Sequence, residues 1–357
     1  MKAVNINAFF DPSSPTDLNQ AMSMRTQAVP ACKPGQLLVQ VLACSISPGD
    51  ATMVRGNLIF LRQPFPFVPG MDICGRVVDS NSSSQFTVGD IIVASNGMSA
   101  TGGMAEYMAV DEGEAVLKPP AVGFEVAASS SSAITARNAV MDHVHAGDRV
   151  LILGGSGGVG LAAIQIAKRH AKASFVATTS TQEDLCKTAG ANVVLNYRRY
   201  NWWEHPWGKK FDVIVDTGGG GNFDGKAHRV LKMNNEGGEF VAVTGDDPKP
   251  DVTSWWKVLP FAWSMMKRPL VTRLFPGRYP KYTGLMPYNV PEGRAEVLGW
   301  MANGQLEVAL DPTCPLPFTE EGLREAFRVV ASGHAHGKVV VTMMDEKTEA
   351  DDMEAAA

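Results

Sequence analysis

The stretch Val150-Leu151-Ile152-Leu153-Gly154-Gly155-Ser156-Gly157-Gly158-Val159-Gly160 decides the fold. Four branched apolar residues in a row read as a strand buried on both faces, as in a parallel sheet. The glycines Gly155, Gly157 and Gly160 then fit G-x-G-x-x-G, and a helix is expected over Gly158–His170, with Val159, Ala162, Ile166 and Ala167 on its apolar face. A turn without side chains lets the backbone approach a pyrophosphate, whose charge sits on the helix N-terminus. The pattern therefore predicts a dinucleotide site. Residues Gly154 through Gly158 also satisfy G-x-S-x-G, the nucleophile elbow of hydrolases. A hydrolase would need Ser156, then Asp216 or Asp246, then His334 or His336. That alternative gives Gly160 and the following strand–helix unit no work to do, whereas the dinucleotide reading uses both.

Working outward, strands are expected at Ser174–Thr178, Val193–Asn196, Val213–Asp216 and Phe240–Val243, with a helix over Glu183–Ala189 ending at Gly190. Strands alternating with helices predict an α/β, doubly wound parallel sheet. Upstream, the short runs Gln36–Ala43, Gly75–Val78 and Asp90–Ala94 are bounded by Gly, Pro, Ser and Asp and predict a β-rich domain, followed by Ala-rich helices between Phe124 and Val144. After Asp246 the alternation breaks. Lys281–Tyr288 reads as a strand, the remainder as one helix (Glu320–Ala331) and a final strand (Lys338–Met343), and 345–357 as a disordered acidic tail. Residues 254–275 carry Trp255, Trp256, Phe261 and Trp263 beside Lys257, Lys267 and Arg268, with Pro260 and Pro269 expected to interrupt any helix. The apolar residues of this segment read as spread around more than one face. A lid over the substrate or a subunit contact is the first reading and a peripheral membrane contact the alternative.

Across 357 residues, hydrophobic residues make up 45% and the net charge is −5, so the chain can bury a sizeable core and offers no basic field for nucleic acid. The five cysteines form no C-x-x-C pair, which argues for reduced thiols. Cys44 and Cys74 read as buried small apolar residues before redox-sensitive thiols. No apolar run is long enough to span a membrane. The first residues, Met1-Lys2-Ala3-Val4-Asn5-Ile6, read as a strand and not as a targeting segment, so a soluble, cytoplasmic protein is expected, with an organelle left open. The second strand of the parallel sheet ends in Thr178-Thr179-Ser180-Thr181, hydroxyls where an acid would bind the ribose of NAD. Tyr197, Arg198 and Arg199 are available to a 2′-phosphate. The cofactor predicted is NADP(H).

Taken in linear order, the chain resembles the zinc-free medium-chain dehydrogenase/reductase family over about residues 1–343. The carrying segments are Ser47-Pro48-Gly49-Asp50 with Arg55-Gly56, Val68-Pro69-Gly70-Met71-Asp72-Ile73-Cys74-Gly75, Gly89-Asp90, and Gly103-Met104-Ala105-Glu106-Tyr107. Ile134-Thr135-Ala136, the glycine turn, Gly190-Ala191 with Asn196-Tyr197-Arg198, and Gly333-His334-Ala335-His336-Gly337-Lys338 complete the set. Within the family it is similar to quinone oxidoreductases, in particular the reticulon-4-interacting-protein-like and chloroplast-envelope branch. The resemblance implies a GroES-like β domain over 1–123, a Rossmann domain over 124–289, a return to the first domain over 290–344, and a cofactor cleft between them, with a homodimer left open. The cofactor set it implies, together with the residue reading, is Thr135, Gly155, Ser156, Gly157, Gly158, Val159, Thr179, Ser180, Tyr197, Thr217, Gly218, Val243, Thr244 and Lys338.

Zinc-dependent relatives carry Cys where this chain has Ser47 and Gly-His-Glu where it has Gly70-Met71-Asp72, and no four-Cys lobe is present, so no metal is expected. His143-x-His145 and His334-x-His336 are not read as metal pairs. The reaction class implied is hydride addition from NADPH to a quinone or an α,β-unsaturated carbonyl. Ser47 stands where the family has Asn, and Thr52 where some quinone reductases have Tyr. Both hydroxyls are candidates to hydrogen-bond the carbonyl, with water as proton donor; capping of a turn is the other reading of the pair. An NADPH-binding scaffold without strong catalysis also stays open.

Overall fold

The structure, a computed structural model, describes residues 1–95, 102–245, 250–285 and 291–343. The chain divides into two compact units, the first made of Met1–Ser131, Asn289–Asn303 and the chain from Ala309 on, the second of Ser132–Tyr288 and Gly304–Val308.

In the first unit β1 (Lys2–Ile6) and β2 (Met22–Thr26) pair antiparallel across α1 (Pro15–Ala21). Next comes β3 (Gln36–Ile46), whose first half alternates, Leu37, Val39 and Val41 pointing into the core while Gln36, Leu38 and Gln40 stay partly exposed. Its second half is buried on both faces. The strand is flanked in sequence by α2 (Pro48–Arg55), β4 (Asp72–Asp79), β5 (Ile91–Ser95), β6 (Tyr107–Asp111), β7 (Ala115–Leu117) and α3 (Phe124–Ala128). One face of the sheet places Cys44, Ile46 and Ile73 in the main core; the other sets Ala43, Cys74 and Val93 against Ala127 and Ala128 of α3. That packing is why residues 124–131 belong to the first unit, although the sequence expectation began the second domain at 124.

The second unit opens with α4 (Ser131–Met141) and continues β8 (Arg149–Leu153), α5 (Gly158–Arg169), β9 (Phe175–Thr179), α6 (Glu183–Thr188), β10 (Val193–Leu195), β11 (Val213–Asp216), α7 (His228–Val230), β12 (Glu239–Ala242), α8 (Trp255–Leu274) and β13 (Lys281–Gly284). Its six strands are all parallel, in the order β10-β9-β8-β11-β12-β13. This is the Rossmann order, so the alternation read from the sequence holds. Of the strand expected over 281–288, Lys281–Gly284 is present and 286–290 lie outside the described residues, as does the 345–357 tail. Contrary to expectation, α8 runs unbroken through Pro260 and Pro269. Each ring removes one N–H donor, and the bonds on either side carry the helix past it. Among the described residues no helix is long and apolar enough to cross a membrane.

The chain then returns as α9 (Pro291–Ala302), β14 (Leu316–Pro317), α10 (Glu320–Ser332) and β15 (Val339–Thr342). The sequence reading missed α9 because Val297, Leu298, Trp300 and Met301 leave no single apolar face to give a 3.6-residue period. Residues 304–308 depart from the rest of the return. The Gln165 amide on α5 donates to the Glu307 carbonyl (2.7 Å) and accepts the Glu307 N–H (3.0 Å), pinning them to the second unit. The first unit's sheet runs β14-β15-β3-β4-β5-β7, with β6 on the first half of β3.

A buried carboxylate pins this unit. Asp50, the third residue of α2, is fully buried and accepts from Ser47 N (2.8 Å), Ser47 Oγ (2.8 Å), Gly70 N (3.1 Å) and Met71 N (3.1 Å). It thereby joins the start of α2 to the turn entering β4. Asp50→Ala should strand these donors and cost about 3 kcal/mol or more. Asp50→Asn, which keeps one acceptor oxygen, should recover part of that loss. Urea unfolding of both variants checks the order; equal stability of wild type and Asp50→Ala would refute the assignment.

Candidate active site

Leu153, Thr179, Asp216 and Ala242 are register partners at the carboxyl ends of β8, β9, β11 and β12, so these four parallel strands end level. Everything that follows them, Gly154 to Val159, Ser180, Thr217, Gly218, Val243 and Thr244, therefore emerges at one edge. Strand order reverses between β8 and β11, and the crevice outside such a switch point is where open α/β sheets bind ligands.

The turn after β8 is locked on its strand side. Gly154 sits at φ +85°, a conformation that favours glycine, and its N–H donates to Thr179 Oγ1 (3.0 Å). The Thr178 hydroxyl donates to the Ile152 carbonyl (2.7 Å) and occupies the place a Cβ on Gly155 would need. A Cβ on Gly160 would overlap the Gly154 carbonyl oxygen, so α5 packs against the turn backbone to backbone. Gly157 is different. It is the N-cap of α5 at φ −75°, and its Cβ would meet only Gly154 O, at 3.7 Å. Ser156, Gly157, Gly158 and Val159 are all partly exposed. The turn is thus filled on one side and bare on the other, where the first N–H groups of α5 lack intrahelical acceptors.

Beside it, Thr217 Oγ1 donates to the Leu153 carbonyl (2.7 Å), and Gly218 is exposed. Thr244 Oγ1 is buried without a hydrogen-bond partner among the described residues, next to the position a Gly219 Cβ would take. A cradle that side chains would fill, an uncapped helix start and an orphaned hydroxyl together fit an anionic dinucleotide, which these groups would hold.

Asp216, named from the sequence only for the hydrolase alternative and not for the dinucleotide site, organises this loop. Its carboxylate is 2% exposed and accepts from Gly218 N (3.1 Å), Gly219 N (3.1 Å) and Asn222 Nδ2 (3.1 Å). Burial pushes it up to about 6 against those hydrogen bonds. No histidine is among these partners, and Asp246, the other acid the hydrolase reading could use, lies outside the described residues. The signal in the sequence was an acid closing a buried strand before Gly218-Gly219-Gly220-Gly221.

The remaining predicted residues lie as follows. Tyr197, Arg198 and Arg199 are exposed just past β10. Ser180 is buried, its Oγ accepting from Gln182 N (2.9 Å) in a local turn. Thr135 is half-buried on α4.

Ser47, Thr52 and Lys338 lie in the first unit. The Ser47 hydroxyl is given to Asp50 and the Thr52 hydroxyl to the Pro48 carbonyl (3.0 Å). Lys338 is buried, and its charge acts on Asp50 and on Cys44. Burial raises the Asp50 carboxyl to about 6, with Asp72 adding to the rise and Ser47 and Lys338 opposing it. Cys44 and Cys74 are fully buried, and burial pushes the first thiol far up and the second to about 12, so both stay protonated.

Against known proteins, a family model described as "Zinc-binding dehydrogenase" matches residues 189–341, and one described as "Alcohol dehydrogenase GroES-like domain" matches 33–121. The NADPH-dependent alkenal/one oxidoreductase, chloroplastic, of Arabidopsis thaliana is 31% identical over 324 residues, covering 88% of this chain and 73% of that protein. The chain belongs to the medium-chain dehydrogenase/reductase family. The quinone-oxidoreductase homolog, chloroplastic, of Spinacia oleracea is 30% identical over 327 residues, covering 88% of this chain and 92% of its own length. Among solved structures, the quinone oxidoreductase from Coxiella burnetii superposes with a TM-score of 0.78 over 96% of this chain and 99% of its own; at 23% identity it speaks for the fold alone. The zinc in one family description does not fit this medium-chain dehydrogenase/reductase. At the positions read from the sequence stand a hydroxyl already bound to Asp50 and the Met71 thioether, neither of them the thiolate or imidazole that Zn²⁺ takes.

Urea unfolding of three variants checks this geometry. Gly160→Ala forces backbone against backbone and should cost about 1–3 kcal/mol. Gly157→Asp should leave stability intact or raise it, because Asp is a favoured N-cap. The folded carboxyl of Asp216 lies above its unfolded value near 4, so the native state loses stability as pH rises from about 4 through about 6. The stability of Asp216→Asn relative to wild type should therefore shift in the variant's favour by up to about 3 kcal/mol between pH 4 and pH 7. A gap that stays flat across that range would contradict the raised carboxyl.

Proposed function

We propose that the chain is an NADPH-dependent, zinc-independent reductase of quinones or α,β-unsaturated carbonyls. The observation that carries this reading is the glycine turn at the switch point of the parallel sheet, bare toward solvent and starting α5. Two relatives at 30% identity or more, one named for NADPH and alkenals or alkenones and one for quinones, support the substrate class.

NADPH, when bound, supplies a hydride for an electron-poor carbon. The chain's own groups do the rest. The N-terminus of α5 and the N–H groups of Ser156 to Val159 would hold the pyrophosphate, whose charge the helix dipole favours. Thr217, Gly218, Val243 and Thr244 line the same edge of the sheet. Exposed Tyr197, Arg198 and Arg199 would take the 2′-phosphate, to which a guanidinium can offer a paired N–H fork. Ser180, buried and already engaged by Gln182 N, shapes the loop that leads toward them. An enone or quinone is polarised by its own carbonyl, so its reduction asks for hydrogen bonds to oxygen and not for a Lewis acid. Ser47 and Thr52 are the hydroxyls proposed to supply them, each by turning its one O–H from its present acceptor, Asp50 or the Pro48 carbonyl, to the substrate, with water as the proton source. Asp50 holds Ser47 in place.

The test is NADPH oxidation with a panel of quinones and alkenals, in the presence and absence of a zinc chelator, alongside calorimetric binding of NADPH and NADH. Turnover should be indifferent to the chelator, and NADPH should bind at least about tenfold more tightly, about 1.4 kcal/mol. Gly157→Asp, folded by circular dichroism, should lose NADPH binding by several kcal/mol, about 1.5–3 for each charge-assisted hydrogen bond lost. Normal NADPH affinity in that folded variant would sink the assignment.

A further inference from the structure

Helix α8 of the second unit carries an apolar stripe that stays exposed among the described residues. Trp255, Leu259, Trp263, Met266, Leu270 and Leu274 recur at intervals of three or four residues, and all are exposed, Leu259 by 78%. With the helical repeat of about 100° per residue they fall, together with Trp256 at 91% exposure, in one sector about 100° wide. Met265, 43% exposed, lies on another side, as the sequence reading of more than one face expected, but the most exposed large side chains of the helix share this sector. The opposite side seats the helix, through Thr272, whose Oγ1 accepts from Tyr282 N (3.2 Å), and through Arg268, which lies over Phe223 and Tyr282 and pairs with Asp224.

The charge around the stripe selects its partner. From Ser254 to Lys281 there is no Asp or Glu, in a chain whose net charge is −5; Lys257, Arg268 and Lys281 pair with Asp251, Asp224 and Glu239, and Lys267, Arg273 and Arg278 leave the flank positive. Lys267 and Arg273 are exposed at the two margins of the stripe. A second copy docked by a two-fold axis would bring this positive flank against itself. A protein surface would also have to cover three tryptophans whose indole N–H groups favour a half-wet setting. An anionic lipid surface meets both demands, taking Trp and Leu side chains at the headgroup boundary while Lys and Arg reach the phosphates.

We propose that α8 is a membrane-surface helix that docks the second unit on anionic phospholipid, lying in the interface and not crossing it. The reading is independent of the cofactor and substrate assignments. It is tested by co-sedimenting the full chain with vesicles of phosphatidylcholine alone and of an equimolar phosphatidylcholine–phosphatidylserine mixture. Binding should require the anionic lipid and weaken as salt is raised. Lys267→Glu with Arg273→Glu should weaken it about tenfold or more. Trp256→Ala with Trp263→Ala should weaken it by about tenfold for each side chain that inserts. Thermal melts of both double variants should match wild type, since the replaced side chains are exposed. Absence of binding to the anionic vesicles, or equal binding by wild type and variants, overturns the proposal. So does a sedimentation-velocity dimer that the tryptophan variant converts to monomer, which would assign the stripe to a second copy.

Discussion

Four donors converge on the Asp50 carboxylate, and the first unit is organised around satisfying that one buried charge. A carboxylate without water must be met by N–H and O–H groups or it will not stay ionised. Here the donors come from two places far apart in sequence, the start of α2 and the Gly70–Met71 turn, so meeting the electrostatic demand also fixes the chain path. Lys338, buried at the entrance of β15, adds a compensating charge from the far end of the chain. Ser47 is held by the same oxygen, which makes its hydroxyl one of the better-oriented polar groups of this unit.

The second unit solves a different problem. Its polar demand is concentrated at the carboxyl edge of the sheet, where strand register brings four turns level. Threonine hydroxyls do the local work: Thr178, Thr179 and Thr217 each bond to backbone in or beside the β8 turn. Asp216 does for the next turn what Asp50 does in the first unit, collecting N–H groups from a loop that has few side chains of its own. Rigid support underneath and bare backbone above is the condition for holding an anionic ligand without paying to order the loop on binding.

Much of this was legible in the sequence, and for identifiable reasons. The strands of the parallel sheet are short, branched and uninterrupted, and Gly155 and Gly160 meet a steric requirement that no other residue meets, so both announce themselves locally. The resemblance placed the first unit because its turn motifs keep their spacing. What could not be read depended on partners remote in sequence. The burial of Ser180, read from the sequence as a phosphate ligand, and the bond its oxygen accepts from Gln182 N come from a turn that residue type alone does not show. The 304–308 segment joins the second unit through the Gln165 and Arg169 side chains of α5, which no periodicity reveals. α9 shows no single apolar face and so has no period to detect. The stripe on α8 was hidden by two prolines that argue against a helix, and only exposure in the finished helix shows that its most exposed large side chains line up.

The first unit is assembled from three separate lengths of chain, and β15 lies inside its sheet, paired to Ala43–Ile46 of β3. During synthesis the second unit has all its residues once Val308 has emerged. The N-terminal unit, although made first, still lacks Leu323, Phe327, Val339 and Val341 of its core and keeps the second half of β3 open on one edge. The order of completion is therefore the reverse of the order of translation. An unpaired strand edge beside an incomplete core is the condition in which chains associate with one another, so the interval between residues 131 and 342 is the period in which a nascent molecule depends most on chaperones and on a low local concentration of its siblings.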